Sequence, residues 1–370
     1  MQIYDLAIVG AGITGCTLAH FCKDKNIILL ERASTPATGG SGAAGAFISP
    51  KLGKKSVLLE LTNSAFTVAS QFYSENFPKY YDKSGIVRLP KDIKDEENFP
   101  LYHKLSGGKL LDENELRDFG IHNQKQGLFF KDGGVCDAQG LCKALISGIP
   151  FKQFELQDLI REQDLWVLSA KNGKIRAKNV VLATGYEGHE SLEYMGIRRV
   201  WGSRGDFYCE SDIGVCMHKT VSVSRKKEGV IKIGATHVKA KSATEACHIC
   251  NGEPLKTLIE KAEEFADISN IKLKETFCGM RSGSHDYFPL AGKVIDARYM
   301  LQTYPNIRRG YKKAPIKYID NLFVFNGVGG RGFVFAPMLA KWLKELIFEH
   351  REIDARVNPD RLFLKWARKL

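Results

Sequence analysis

The stretch IYDLAIVGAGITGCTLAHFCKDKNIILLE, from Ile3 to Glu31, decides how the rest of the chain is read. Its opening run, Ile3 to Val9, is apolar and passes directly into Gly10, Gly12 and Gly15 and then an amphipathic segment. The spacing predicts strand, tight turn, helix and a second strand, Ile27 to Leu30, that ends at Glu31, about twenty residues past the first glycine. Each residue type has a task there: Gly10 makes the turn, Gly12 admits a pyrophosphate to the backbone, and Gly15 lets helix pack closely on strand. The helix N-terminus adds free N–H groups and the positive end of a dipole. Three glycines at this spacing occur in ordinary turns; joined to a strand, a helix and a ribose-binding acid, they predict dinucleotide binding.

Working outward, the 370 residues suffice for two domains or one elaborate one, and 44% hydrophobic with 26% charged residues is ordinary for a globular protein. No apolar run approaches the roughly twenty residues that span a bilayer, and no basic-then-apolar leader opens the chain. The expectation is a cytoplasmic protein without a membrane partner, its nine cysteines reduced. A formal charge of +12 exceeds what a small-molecule enzyme needs and makes a polyanionic partner plausible.

Gly39 to Gly45 is too rich in glycine and alanine for a helix or strand, so it reads as a loop passing close to a cofactor, with Gly42 and Gly45 leaving room for a ring system. Leu58, Leu61, Ala65, Phe66, Ala69 and Phe72 recur at helical spacing between Val57 and Tyr73. A buried strand, Val180 to Leu182, closes on Ala183, Thr184 and Gly185, a tight turn that returns beside the nucleotide. From Val200 to Phe277 alternating runs predict an antiparallel sheet followed by a helix, Pro254 to Phe265. The last unit, Leu322 to Phe348, reads as strand, a turn holding Gly327, Gly329, Gly330 and Gly332, and a helix after Pro337. The fold class is therefore α/β, α+β overall: a Rossmann-like domain from 1–77, 131–195 and 278–350, an inserted, mainly antiparallel substrate domain from 78–130 and 196–277, and a basic tail, 351–370.

Two arginines stand out. Arg281 precedes Asp286, Pro289 and Gly292, and Arg331 sits inside the last glycine turn, where packing alone gives a planar charged fork no reason to be. Together they would clamp a carboxylate; the bland reading for either is an ion pair. Cys247, His248 and Cys250 make half a zinc site at most, so no metal is expected. Arg308, Arg309, Lys312, Lys313 and Lys317, interleaved with Tyr304, Tyr311 and Tyr318, have the basic and aromatic composition of a nucleic-acid contact or of a plain surface loop.

Gly10-x-Gly12-x-x-Gly15, Glu31-Arg32, Gly133-Gly134, Ala183-Thr184-Gly185, Gly279-Met280-Arg281 with Asp286, Pro289 and Gly292, and the late glycine turn resemble the glycine oxidase, sarcosine oxidase and D-amino-acid oxidase superfamily of FAD enzymes. Gly42–Leu52 (GAAGAFISPKL), Asn63–Tyr73 (NSAFTVASQFY), Cys278–Gly292 (CGMRSGSHDYFPLAG) and Gly330–Pro337 (GRGFVFAP) resemble most the branch that modifies tRNA through the oxidoreductase half of a bifunctional enzyme. The resemblance implies FAD, held without a covalent bond because Cys278 is one residue off the flavin-linking position of the sarcosine oxidases. It implies Gly10, Gly12, Gly15, Glu31, Arg32, Gly42, Gly45, Ala183, Thr184, Gly185, Gly327, Gly329, Gly330 and Gly332 on the cofactor, and Arg281 and Arg331 on the substrate. The implied reaction removes the carboxymethyl group from 5-carboxymethylaminomethyluridine at the tRNA wobble position, with tRNA held by Arg308, Arg309, Lys312 and Lys313. No methyltransferase half is matched, which implies a separate methyltransferase for the product. The rival is an oxidase or dehydrogenase of glycine, sarcosine or a D-amino acid.

Overall fold

The computed structural model describes residues 2–239 and 253–370, so Cys247, His248 and Cys250 lie outside the described residues. Ile3–Val9 pairs in parallel with Ile27–Glu31 on one side and Gly173–Leu182 on the other, and Phe151–Gln153 and Tyr318–Asn326 extend the sheet outward. Three antiparallel strands, Asp158–Glu162, Leu165–Ala170 and Leu290–Ile295, complete its eight. The apolar run is continuous rather than alternating because both faces are covered. Leu6 and Ile8 join a core with Phe333, Leu339 and Leu343, while Ala7 and Val9 face Tyr194, Leu362 and Phe363. Those last two residues belong to helix Asp360–Ala367. The stretch 351–370, expected as a basic tail, is thus partly built into the second core by its apolar residues.

The second sheet has nine strands and is mainly antiparallel. Arg198–Tyr208 pairs with Lys272–Gly283 along its whole length, and the earlier segment contributes Ile86–Arg88, Lys109–Asp112 and Gln126–Phe130. One parallel pair, Ile86–Arg88 with Cys216–His218, joins the two chain segments. Strand Lys272–Gly283 runs on past residue 278, and the chain re-enters the first sheet only at Leu290.

Helix Val57–Asn76 starts where Ser56 accepts the Leu59 N–H and buries Leu61, Ala65, Phe66, Ala69 and Tyr73 on one face. The final long helix differs from expectation. It spans Gly332–Glu349 and continues through Pro337 instead of starting after it. A proline cannot donate to the carbonyl four residues back, and that carbonyl, on Phe333, accepts the buried Tyr73 hydroxyl instead at 2.9 Å. Burying Phe333, Val334 and Phe335 against the first sheet's core offsets the missing bond.

Cys16, Cys22, Cys136, Cys142, Cys209 and Cys216 are free and buried. Cys278 is disulfide-bonded, which corrects the expectation of reduced thiols throughout. No helix among the described residues is long and apolar enough to cross a membrane.

Candidate functional site

A cavity of about 870 Å³ opens where the parallel strands end, reaching from Glu31 and Arg32 to Arg281 and Arg331. Its first wall is the glycine turn. Gly10 has φ +104°, and a Cβ there would lie 2.4 Å from the Ala183 carbonyl oxygen, so the Ala183–Gly185 return crosses directly against the turn. A Cβ on Gly15 would lie 1.9 Å from the Gly10 oxygen; Gly15 serves helix–strand packing and does not line the cavity. Helix Ile13–Phe21 has no side chain from its own cap on its first N–H groups, and Ser41 Oγ accepts the Ile13 N–H at 2.9 Å. Glu31 accepts the Ala11 N–H at 2.8 Å and the Ala33 N–H at 3.2 Å, which points its carboxylate into the crevice floor. Arg32 pairs with Glu187 at the rim.

The opposite wall comes from the second glycine turn. Asn326 ties the two turns together, donating to the Gly185 oxygen at 2.7 Å and accepting the Gly327 N–H at 2.8 Å. Helix Gly332–Glu349 begins at the cavity with no side-chain cap, so its N–H groups and dipole face the space. Gly12, Gly45, Ala183, Thr184, Gly185, Gly327, Gly329, Gly330 and Gly332 all line the cavity. Gly42 does not: it lines a smaller space of about 400 Å³ behind its own loop, and a Cβ there would lie 1.9 Å from the Ala37 oxygen.

Arg281 and Arg331 share the cavity, but their forks go to different neighbours. Arg281 lies across Gly202, where a Cβ would meet the guanidinium at 2.3 Å, and donates to the Thr236 oxygen at 2.9 Å. Burial lowers it to about 10. Arg331 reaches the Ser49 oxygen at 3.5 Å. Its companion is Arg88, which the sequence pattern alone did not single out and which is only 7% exposed. Arg88 Nη1 donates to Ser49 Oγ at 3.0 Å and the Pro50 oxygen at 2.7 Å, and its Nε has no partner among the described residues. Burial first, then the charge of Arg331, push Arg88 down to about 9. Lys51 is lowered by burial and by Arg331, Lys91 and Arg88. His218, in hydrogen-bonding distance of Ser222 Oγ at 2.7 Å, is held well below its usual value by burial and then by Arg88. The signal for Arg88 was present: a lone charge inside the apolar run Ile86, Val87, Leu89.

Tyr287 stands at the rim, 67% exposed, with Arg198 stacked 4.2 Å above its ring. His285 is exposed and does not line the cavity; Asp286 is engaged by Arg361 at 2.8 and 3.1 Å. Arg308, Arg309, Lys312 and Lys313 are exposed and lie outside the cavity, anchored through buried Ile307 and Ala314. Their loop enters the sheet at Tyr318, and the cavity is reached at Asn326, roughly 26 Å further along the strand.

This geometry fits FAD. Residues Gly10 and Gly12 form a cradle that side chains would fill, Glu31 sits at the ribose end, and one continuous space runs to the second glycine turn. Residues 5–346 match the family model described as DAO, FAD dependent oxidoreductase. Among curated relatives, the tRNA 5-methylaminomethyl-2-thiouridine biosynthesis bifunctional protein MnmC of Shewanella amazonensis is 25% identical over 99% of this chain and 60% of its own length. The protein of the same name from Legionella pneumophila is 25% identical over 97% and 57%. The chain thus spans about 60% of the length of these relatives. Among solved structures, glycine oxidase from Bacillus cereus superposes with a TM-score of 0.75 at 20% identity, covering 94% of this chain and 96% of that one. Iminodiacetate oxidase from Chelativorans sp. BNC1 gives 0.75 at 14%, covering 96% and 98%. With the cradle, the acid and a family match over nearly its whole length, the chain belongs to the DAO family of FAD-dependent oxidoreductases.

Proposed function

We propose that this protein oxidises the carboxymethylaminomethyl group of a wobble uridine in tRNA, leaving the aminomethyl form and releasing glyoxylate. The observation that carries the reading is the cavity end beside the second glycine turn, where Arg281 and Arg331 stand half-buried and engage only carbonyl oxygens among the described residues. Such an end suits a substrate that brings its own carboxylate. Gly10, Gly12, Glu31, Thr184 and Gly185 would hold FAD at the other end, which when bound accepts a hydride from the methylene between nitrogen and carboxylate. Arg281 and Arg331 fix that carboxylate and so aim the methylene; the amine loses its proton, and water cleaves the resulting imine. Burial first, then the charges of Arg88 and Arg331, hold His218 well below its usual value; the same cationic wall favours an unprotonated amine, so no protein base is assigned.

In this reading the two large sheets divide the labour, one for FAD and one for substrate. The bifunctional relatives named for tRNA modification support the substrate, and Arg308, Arg309, Lys312 and Lys313 would hold the RNA in the cytoplasm. Methylation of the product belongs to a methyltransferase outside these residues. The test is mass analysis of nucleosides from tRNA incubated with the protein, beside a screen of glycine, sarcosine and D-amino acids. Conversion of the carboxymethylaminomethyl nucleoside is expected. Rapid turnover of a free amino acid with untouched tRNA would replace this reading by the small-molecule one.

A further inference from the structure

A bulky side chain at positive φ is strained, and a strained residue that stays mostly exposed gains little from packing in return. Tyr287 is such a residue: its φ is +68°, it is 67% exposed, and it lines the rim of the large cavity. The chain on both sides of it is pinned. Arg361 grips the Asp286 carboxylate at 2.8 and 3.1 Å and the Phe288 oxygen at 2.9 Å, and the Phe288 N–H donates to Asp286 Oδ1 at 3.2 Å. Further back, the Ser284 N–H donates to the Gly327 oxygen at 3.3 Å, and the Ser284 oxygen accepts Arg198 Nε at 2.9 Å. The same Arg198 guanidinium lies 4.2 Å over the Tyr287 ring. Both halves of this stack are therefore fixed by the backbone around them before a ligand arrives.

Strand pairing sets the stack beside the carboxylate clamp. Arg198 pairs with Gly283 and Val200 with Arg281, so Arg198 and Arg281 are diagonal neighbours on one face of the strand pair, with backbones roughly 7–8 Å apart. Arg198, Arg281 and Tyr287 all open on the same cavity. A flat ring carrying a guanidinium on one side suits a flat partner on the other. Nucleobases stack on aromatic rings whatever their identity, and an arginine adds a cation–π attraction. A free amino acid such as glycine has nothing flat to place there.

We propose that Tyr287, backed by Arg198, is the platform on which the substrate's pyrimidine ring stacks, and so the residue by which the cavity selects a nucleoside amine over a free amino acid. The inference rests on the reading of the reaction as oxidation of a modified uridine, and adds where the base lies. Strain at Tyr287 is then the cost of holding an aromatic ring at the cavity mouth, at a backbone position that glycine would occupy with ease.

The experiment titrates holoenzyme anaerobically with two amines that carry the same carboxymethyl group, 5-carboxymethylaminomethyluridine and N-ethylglycine. Flavin absorbance gives the dissociation constants and, separately, the rate of flavin reduction. The parent is expected to bind the nucleoside at least about tenfold tighter, the size of one base–aromatic stack. Tyr287→Gly should bring the two amines within about twofold of each other by weakening the nucleoside. Tyr287→Phe should keep the preference and Arg198→Met should keep part of it. Because glycine relieves the positive φ, the thermal midpoint of Tyr287→Gly should hold or rise, which separates lost stacking from lost folding. A parent without the preference, a preference that survives Tyr287→Gly, or an equal weakening of both amines would overturn the platform and leave oxidation of the modified uridine standing. Tight nucleoside binding without flavin reduction would overturn the reaction and keep the platform. A parent that oxidises N-ethylglycine and does not bind the nucleoside would overturn both.

Discussion

The two ends of the cavity solve opposite electrostatic problems. At the nucleotide end two lining acids are already satisfied: Glu31 accepts two backbone N–H groups and Glu187 pairs with Arg32. At the other end Arg88 is buried and Arg281 and Arg331 are half-buried, with only carbonyl or hydroxyl oxygens as acceptors among the described residues. A carbonyl dipole offsets part of a buried charge and an anion offsets far more. The first end is therefore complete before a ligand arrives, and the second is left for the ligand to complete.

The sharpest way to break the comparison is at the unsatisfied end. Arg281→Met or Arg331→Met should lower kcat/KM for a carboxymethylamine by roughly thirty- to a thousand-fold, since a charge-assisted hydrogen bond in a dry site is worth about 2–4 kcal/mol. FAD absorbance should stay. Near-normal turnover in both variants would move the carboxylate elsewhere.

At the satisfied end the effect is smaller and of another kind. Glu31→Ala should weaken FAD by roughly ten- to a hundredfold, read by dialysis and residual flavin absorbance, while substrate affinity of the reloaded enzyme is kept. Acid precipitation should release all colour, since the Cys278 sulfur is already in a disulfide. Retained colour would show a covalent link.

The patch outside both ends should affect neither. Neutralising Arg308, Arg309, Lys312 and Lys313 together should flatten the log–log salt dependence of tRNA binding by roughly 3–4 units at most, with flavin content unchanged. An unaltered slope would remove this loop from the RNA interface.

The smallest expected effect is a pH dependence of stability. Burial and Arg88 hold His218 well below its usual value, so the folded protein resists taking a proton there. The unfolded chain accepts one near pH 6.5. Above that pH both states are neutral and the group contributes nothing; as pH falls below it, the folded state loses up to roughly 1.4 kcal/mol per pH unit from this residue. Thermal midpoints at pH 7.5 and 5.5 should therefore diverge less in His218→Asn than in the parent.

Local chemistry made part of this protein legible from its residues alone. The strand, the Gly10–Gly15 turn and Glu31 could be read because backbone sterics and a fixed spacing act over about thirty residues, independent of distant partners. Helix Val57–Asn76 was visible through its apolar period, though its end was not, since fraying is settled by packing. Composition showed a basic chain and could not say which charges would be buried.

Tertiary structure decided the rest. Pro337 looked like a helix start because proline breaks intrahelical bonds; only the Tyr73 hydroxyl, 260 positions from Phe333 in the chain, removes the cost to the Phe333 carbonyl. Arg281 and Arg331 were visible as unusual residues, and which neighbours they face depends on Gly202, Thr236 and Ser49. Arg88 becomes part of the site only when a three-residue strand, Ile86–Arg88, pairs with Cys216–His218 and is drawn under the last glycine turn. Charge type is written in the sequence, but desolvation, which gives that charge its energy, exists only once distant segments have closed over it.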